Sequence, residues 1–371
     1  MIRKDGRPSI CLTMIVRNET GVIERCLKSV RPFIDCWSIV DTGSSDGTQQ
    51  LVRAYLADLP GELHEREWRD FGHNRSEALA LARSCGDYLF VIDADETFEV
   101  PAGFSLPFLS EGAYYTRHRG RGSFVSFSRV QFLRSDLPFR YEGVLHEVVV
   151  CDAPHRKGHI DKVECVGGFD GARNQVSPEE KYGRDAQVLE KALETDPDNA
   201  RYRYYLARSY RDAGQPEKAI ENFLIRAKLG GFEEEVWHSL HLVGVLSADL
   251  GKYHAALAAQ LQAYQLRPTR AETLCALARL HRLRDEHHLA YLFARPAADM
   301  VRPDDLLFVD DSVYSWRSLD ELCIAAYWVG QYQESYEAAM RLLELSELPQ
   351  EQRERVQKNK DFAAAKLGRA T

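Results

Sequence analysis

Two kinds of hydrophobic pattern alternate along the first part of this 371-residue chain. Largely apolar runs cover residues 9–16, 37–40 and 88–92, and a charged residue follows each of them. Between them, apolar residues recur every three or four positions, which predicts helices that bury one face. Residues 63–67 and 74–85 complete the pattern as a third strand and a third helix. Alternating strands and helices indicate a mostly parallel sheet with crossover helices, an α/β domain.

The pattern changes after this α/β stretch. Residues 114–117, 124–127 and 129–133 predict short strands with polar breaks. Residues 150–177 contain several glycines and show little periodicity. We expect an ordinary linker there, with a mobile loop that closes over a ligand as the alternative.

The second half of the chain predicts helical repeats. The small-residue pairs Leu206-Ala207, Val243-Gly244 and Leu277-Ala278 are separated by 37 and 34 residues. This spacing resembles that of tetratricopeptide repeats. We expect a single helix at 181–194, three repeats, and a divergent fourth unit at 319–345. The insert before that unit should pack on a neighbour, such as the first domain. The predicted domains are 1–176 and 177–371.

Composition and charge exclude some functions. The chain is 44% hydrophobic and 28% charged, with a net charge of −8 and no basic run, so we expect no nucleic-acid partner. Its eight cysteines are far apart and contain no Cys-x-x-Cys pair, which favours a reducing compartment. No apolar run reaches the ~20 residues of a membrane span. The predicted location is cytoplasmic, with any membrane-bound acceptor reached from the inner, aqueous side.

The first chemical feature is the acidic end of the apolar run 88–92. Asp93, Asp95 and Glu96 follow it directly. Ligands bind beyond the carboxyl ends of strands in open α/β sheets, and paired carboxylates suit a divalent cation that also holds phosphate oxygens. An ordinary polar loop is the alternative.

The second chemical feature is the segment Asp-Thr-Gly-Ser-Ser-Asp-Gly-Thr at residues 41–48. Small residues before a helix let a ligand approach the backbone, and a helix N-terminus favours anions. The segment is neither a Walker loop nor a dinucleotide fingerprint. A capped turn, with Asp46 or Ser45 as the helix N-cap, is the alternative.

Four motifs together resemble a known family. Residues 14–19 (Met-Ile-Val-Arg-Asn-Glu), 40–48, Asn74-Arg75 and 86–96 occur in the order found in the nucleotide-sugar half of family 2 glycosyltransferases with a GT-A fold. The resemblance covers residues 8–100 and weakens towards 150. It implies transfer of a sugar from a nucleoside-diphosphate donor, most commonly a UDP-sugar, to a glycan, lipid-linked or polypeptide acceptor.

The resemblance also implies roles for individual residues. Asp41 and Asp46 would contact the nucleobase and the ribose, and Arg75 would lie near the diphosphate or the base. Asp93 and Asp95 would bind Mn²⁺ or Mg²⁺, with Asp95 the more direct ligand. The positions assigned to the donor are Arg17, Glu19, Asp41, Asp46, Arg75 and Asp93.

Acceptor-side residues should follow downstream. A transferase that inverts the anomeric carbon needs a base to deprotonate the acceptor hydroxyl. Glu147 is the first candidate and Glu142 the second, while His146 would be a third metal ligand or a diphosphate contact. A surface His-Glu pair at a strand end is the alternative. Some relatives place a metal-binding His near residues 166–173, where this chain has none; the remaining candidates are His159 and Asp170 for the metal, and Arg173 for a phosphate.

Two other functions fit parts of the sequence. Residues 93–97 match the Asp-x-Asp-x-Thr pattern of haloacid-dehalogenase-type phosphatases, with Asp93 as nucleophile and Asp310 as a late acidic residue. The chain could also be a catalytically silent repeat scaffold. The helical repeats could bind an acceptor, a partner protein or a second copy of the chain, or could brace the first domain.

Overall fold

The computed structural model describes residues 6–168, 170–171 and 176–369. They form two compact units. The first ends at Pro197 and also includes the turn Asp212–Gly214; the second consists of Asp198–Arg211 and the chain from Gln215 onwards. The division between residues 176 and 177 stays a prediction.

The first unit is an α/β domain, as predicted. Its parallel part contains β1 (Ile10–Val16), α1 (Ile23–Val30), β2 (Cys36–Asp41), α2 (Thr48–Tyr55), β3 (Gly61–Glu65), α3 (Phe71–Ala82) and β4 (Tyr88–Val91). Then follow β5 (Glu96–Glu99), β6 (Ala113–Gly120), β7 (Val125–Arg134), β8 (Arg140–Glu142), β9 (Val148–Val150), β10 (Lys157–Gly167) and α4 (Pro178–Thr195).

The main sheet has the strand order β3-β2-β1-β4-β7-β6-β10-β5, and β8 and β9 form a separate hairpin. Strands β1 to β4 pair in parallel, so their carboxyl ends lie at one edge of the sheet. Strand β7 pairs antiparallel with both β4 and β6. Large apolar side chains fill the core beside the sheet: Leu12, Met14, Ile39, Phe90 and Phe132. This rigid sheet fixes the loops that follow β1, β2 and β4.

The expectation of a linker at residues 150–177 is wrong. The eleven residues of β10 enter the sheet between β6 and β5. Ile160, Val163 and Cys165 are buried, but the register with β6 shifts between His159 and Glu164. Lys162, with a φ of 64°, lies in that irregularity. A bulge interrupts strand alternation, which hides the strand from a periodicity analysis.

The second unit consists of paired helices, which confirms the predicted repeats. The pairs are α5 (Ala200–Asp212) with α6 (Pro216–Leu229), α7 (Glu233–Asp249) with α8 (Tyr253–Leu266), α9 (Ala271–Arg282) with α10 (His287–Asp299), and α11 (Ser318–Trp328) with α12 (Tyr332–Glu344). Helix α13 (Gln350–Lys366) follows. Before α11 lie a two-residue strand, β11 (Val309–Asp310), and a π-helical turn, Val313–Arg317.

Small residues at the helix crossings explain the repeat spacing. Ala207, Ala278 and Gly244 are buried. A Cβ atom at Gly244 would lie 2.5 Å from the Gln260 side chain, so only glycine allows this approach without a shift. Across the described part of the chain, no helix combines the length and the apolar character needed to cross a membrane.

Candidate functional site at the carboxyl edge of the sheet

Asp41 is a buried carboxylate at the end of β2, and only one of its two oxygens accepts hydrogen bonds from the described residues. Its Oδ1 accepts hydrogen bonds from the backbone N–H groups of Gly43 (3.0 Å) and Ser44 (2.9 Å) and from the Gln49 amide (3.0 Å). Burial opposes ionisation, yet these hydrogen bonds hold the pKa of Asp41 below its usual value. Its Oδ2 is buried and has no hydrogen-bond partner among the described residues. Because an unpaired buried acceptor is costly, this oxygen suits a ligand N–H.

Asp46 holds the loop together. Its Oδ1 accepts from the Thr48 backbone (3.0 Å) and hydroxyl (2.7 Å), and its Oδ2 accepts from the Thr20 backbone (3.1 Å). These hydrogen bonds outweigh slight burial and lower the pKa of Asp46 to about 2. The helix N-cap itself is Gly47, with a φ of 99°, and not Asp46 or Ser45. The role of Asp46 at the ribose stays a prediction, since both of its oxygens are used by the loop.

Asp93, the second residue after β4, lies between two arginines. Its Oδ1 bonds Arg75, and its Oδ2 is 3.3 Å from Nη1 of Arg129. Arg129 also donates to Glu96 at 2.6 Å, and Glu96 accepts from the Asp93 backbone N–H at 3.1 Å. Although Glu96 is buried, Arg129 and His118 hold its pKa far below the usual range. Glu96 is thus ionised, and the Asp93 and Glu96 side chains are both held by arginines.

Asp95 has the opposite environment. Burial raises its pKa to about 7, and the carboxylates of Asp93, Glu96 and Glu19 act in the same direction. A Cβ placed on Gly171 would lie 3.3 Å from both Asp95 Oδ2 and Glu19 Oε2, so these two carboxylates converge. A bound cation would relieve this repulsion.

The metal that the family resemblance implies fits this pair. No group of three or more His, Cys, Asp or Glu side chains within the described ranges could hold a metal ion by itself. Mg²⁺ is commonly held by one or two carboxylates together with substrate phosphates. Asp95 and Glu19 therefore could hold a cation whose remaining ligands are oxygens of the donor diphosphate.

The raised pKa of Asp95 predicts a pH-dependent stability difference. A carboxyl group with a higher pKa in the folded state lowers stability as the pH rises, here between about 4 and 7. Without metal, Asp95→Asn should therefore increase the free energy of unfolding by ~1–3 kcal/mol at pH 8. At pH 5 the gain should fall below half of that value. Urea denaturation at both pH values, with exposed Asp136→Asn as control, measures it; an equal difference at both would contradict it.

Arg75 connects the acidic loop to the acceptor-side candidate. Its Nε is 2.5 Å from Oε1 of Glu147, while its Nη2 holds Asp93. The side chains of Arg75 and Glu147 are only 11% and 10% exposed. Burial opposes the charge on Arg75, but Asp93 and Glu147 raise its pKa. The structure thus brings Asp93, Arg75 and Glu147, which are distant in sequence, into one line of ion pairs.

Helix α3 positions this line. A Cβ at Gly72 would lie 2.6 Å from the Gly143 carbonyl oxygen, so only glycine lets the helix pack this closely on the turn that carries Glu147. Ser76 accepts from the Tyr141 backbone N–H at 2.8 Å, which anchors β8 on the same helix. Helix α3, which carries Arg75, therefore holds both the turn that carries Glu147 and strand β8 in place.

The other predicted residues are placed as follows. Glu142 is exposed and pairs with Arg140 at 2.6 Å. His146 is exposed with a φ of 52°, and Arg17 is also exposed. Among the further candidates, His159 stacks on Tyr115 with ring centroids 5.2 Å apart, and Asp170 binds Arg25 through both oxygens at 2.7 and 2.8 Å. Arg173 lies outside the described residues.

Sequence reasoning missed the layer behind Asp93. His118 on β6 is 1% exposed, and its Nδ1 lies 3.5 Å from Oε1 of Glu96. Its Nε2 lies 3.0 Å from Oε1 of Gln131, which is also within 2.9 Å of Cys165 Sγ. The sequence signal for this layer is the presence of polar residues at alternate positions of a strand, at 116 and 118 and at 129 and 131, which places them on one face of the sheet.

Trp68 is a second missed residue, on the loop between β3 and α3. Its ring is 36% exposed and meets Phe71 edge-on at 4.8 Å. Buried Asn74 fixes the loop, because it accepts from the Arg69 backbone (2.9 Å) and donates to the Glu67 carbonyl (3.0 Å). The Asn-Arg motif thus has two tasks: Asn74 holds this loop, and Arg75 holds the carboxylates.

Comparisons with known proteins agree with the two halves of the chain. Residues 11–101 match the family described as glycosyl transferase family 2, and residues 188–221 match a tetratricopeptide repeat. A TPR repeat-containing protein of Synechococcus elongatus is 34% identical over 146 residues, which is 38% of this chain and 35% of that protein. These matches fall on the motifs and the repeats that the sequence predicted.

Two relatives are glycosyltransferases by name. The SPbeta prophage-derived glycosyltransferase SunS of Bacillus subtilis is 24% identical over 241 residues, covering 59% of this chain and 53% of the relative. The lipopolysaccharide core biosynthesis glycosyltransferase LpsC of Rhizobium meliloti is 33% identical over 95 residues, covering 25% and 34%. The chain spans between a third and about half of the length of these curated relatives.

Proposed function

Because residues 11–101 form a family 2 glycosyltransferase domain, we propose that this protein transfers a sugar from a nucleoside-diphosphate donor to an acceptor hydroxyl. The observation that carries the proposal is the buried, unpartnered Oδ2 of Asp41 at the carboxyl edge of the sheet. This oxygen can accept a hydrogen bond from a base with a ring N–H, such as N3–H of uracil or N1–H of guanine. Cytosine and adenine present unprotonated ring nitrogens at the corresponding positions, which supports a UDP- or GDP-sugar; of the two, the family resemblance favours UDP.

The remaining donor contacts follow from charge. Asp95 and Glu19 would hold Mn²⁺ or Mg²⁺, which when bound neutralises the departing diphosphate. Arg75 and Arg129 supply positive charge beside Asp93. Gly168, directly after β10, lies beside Asp95, since its N–H donates to the Asp95 carbonyl at 2.9 Å. Arg25 on α1 donates to the same carbonyl at 3.2 Å and also binds Asp170, so Gly168 and Asp170 are both held near the proposed metal ligand.

The proposed chemistry is a single displacement that inverts the anomeric carbon. The acceptor oxygen forms a bond to that carbon, its proton passes to Glu147, and the bond to the diphosphate oxygen breaks. Glu147 is preferred to Glu142 because Arg75 connects it to Asp93, whereas Glu142 pairs with Arg140. The helical repeats would bind the acceptor, a partner protein or a second copy. The eight free cysteines support a cytoplasmic site of action.

A calorimetric titration tests the donor assignment. UDP, GDP, CDP and ADP are each titrated with and without Mn²⁺. We expect UDP to bind most tightly. Omission of Mn²⁺ should weaken UDP binding at least about tenfold, since the carboxylates of Asp95 and Glu19 would then face the phosphate oxygens without a cation between them. Absence of binding by every nucleotide would contradict the transferase and favour the scaffold function. Asp41→Asn should weaken UDP binding. The variant has a single side-chain oxygen, which cannot accept both from the loop and from the base.

The phosphatase alternative receives no support from the geometry. Its late acidic residue, Asp310, is engaged within the second unit. It accepts from the Ser312 backbone N–H at 3.1 Å and pairs with Arg317 at 2.7 Å. These bonds join Asp310 to both ends of the π-helical turn, which gives it a structural role.

A further inference from the structure

Helix α1 holds the acidic loop after β4 through two neighbouring side chains. The Arg25 guanidinium donates to the Asp95 carbonyl at 3.2 Å, and Cys26 Sγ donates to the Asp93 carbonyl at 3.4 Å. Both bonds go to main-chain oxygens of the loop, so they fix its backbone and leave its carboxylates available. The position of Asp95 therefore depends on α1.

The same helix fixes Glu19, which lies just before it. The Glu19 carbonyl accepts from the N–H groups of Val22 (3.0 Å) and Ile23 (2.9 Å) at the start of α1. The Glu19 N–H donates to the Thr48 hydroxyl at 2.8 Å. The two proposed metal ligands, Glu19 and Asp95, are thus aligned by one helix.

Arg25 adds a third part of the chain to this arrangement. Asp170 binds its guanidinium through both carboxylate oxygens, at 2.7 and 2.8 Å. The next residue, Gly171, is buried, and a Cβ placed on it would lie 3.2 Å from the Asp95 Cβ and 3.3 Å from Glu19 Oε2. Arg25 therefore joins α1, the acidic loop and Asp170 at the place where the two carboxylates converge.

Two neighbouring carboxylates repel each other until a cation binds, so the protein has to hold them together beforehand. A planar guanidinium suits this task, because it can donate to a carbonyl and to a carboxylate at the same time. We propose that Arg25 is a positioning residue of the metal site, which keeps Asp95 and Glu19 converged before the cation arrives. This role rests on the proposed function, in which that cation holds the donor diphosphate.

The charge of Arg25 gives the experiment a clear sign. Hydrogen bonds from Asp170 outweigh burial and raise the pKa of Arg25, as does the charge of Asp95, so Arg25 is cationic beside the site. If it acted through charge alone, its removal would strengthen binding of a cation. A positioning role predicts the opposite, since loss of groups that orient metal ligands weakens metal binding about 10–100-fold.

The test titrates Mn²⁺ into protein saturated with UDP, or with GDP if that nucleotide binds more tightly. Free Mn²⁺ is measured by electron paramagnetic resonance. We expect Arg25→Gln to weaken Mn²⁺ binding at least about tenfold. Lys28→Gln removes the same charge from an exposed position of α1 and should change Mn²⁺ binding less than about twofold. Arg25→Gln/Asp170→Asn should lose less than the two single variants combined, because both remove one ion pair.

A cooperatively melting Arg25→Gln that binds Mn²⁺ as tightly as wild type, or more tightly, would overturn this role. If Arg25→Gln does not fold, Arg25→Lys takes its place. Lysine keeps the charge but cannot donate to the carbonyl and to both carboxylate oxygens at once, so unchanged Mn²⁺ binding would again overturn the role. A wild type that binds no Mn²⁺ with either nucleotide would contradict the proposed function and this role together, which distinguishes the two failures.

Discussion

Asp95→Asn is expected to abolish sugar transfer while leaving a folded, and at pH 8 more stable, protein. The substitution removes a carboxylate whose negative charge is costly without a cation and useful with one. We expect kcat to fall by about 10³-fold or more, since charge stabilisation of a leaving group is among the largest catalytic terms. Donor turnover with Mn²⁺ and calorimetric binding of Mn²⁺-UDP measure the two parts of the effect.

The control for this variant is Asp136→Asn, whose carboxylate is exposed and pairs with Arg134 at 2.7 Å. It should retain activity within about twofold, as exposed ion pairs contribute little. An Asp95→Asn enzyme of normal activity would exclude Asp95 as a metal ligand. A variant that is inactive only because it is unfolded would show a lower, not higher, unfolding midpoint.

Glu147→Gln is expected to have the second largest effect. A general base contributes ~10²–10⁴-fold, so kcat should fall in that range while donor binding changes little. The matched variant Glu142→Gln should lose less than about threefold, because Glu142 lies on the surface and pairs only with the exposed Arg140 among its described ion pairs.

The pH dependence of the two variants separates a base from a structural residue. With saturating Mn²⁺ and donor, which should keep Asp95 ionised, wild-type kcat should still decrease at low pH, and the residual activity of Glu147→Gln should lack that decrease. A Glu147→Gln variant that keeps the wild-type pH profile would show that Glu147 only positions Arg75. The opposite ranking of the two variants would assign the base to Glu142.

Much of the fold could be read from hydrophobic periodicity. The runs at 9–16, 37–40 and 88–92 became β1, β2 and β4, because strands buried on both faces are mostly apolar. The helical repeats were equally readable, since small residues are needed wherever two helices cross closely. The helix predicted at 74–85 begins earlier, at Phe71, because Asp70 caps it by accepting from the His73 N–H at 2.7 Å.

The sequence could not show how the antiparallel strands join the site. Arg129 reaches Asp93 and Glu96 only because β7 pairs with β4 and with β6 in a particular register. That register contains an irregularity between Tyr114 and Tyr115, which no periodic pattern displays. The same reason explains why β10 was mistaken for a linker. Register depends on tertiary packing, whereas motif spacing depends on local chain geometry alone.

The single guanidinium of Arg75 has a consequence for protein engineering. It balances Asp93, next to the proposed donor metal, and Glu147, the proposed acceptor base, at the same time. If either carboxylate is removed, the full positive charge of Arg75 acts on the one that remains. The effects of substitutions at Asp93 and at Glu147 should therefore not be additive. If the proposed roles hold, we expect donor preference and acceptor reactivity to change together, so that libraries varying both sides have the better prospect of success.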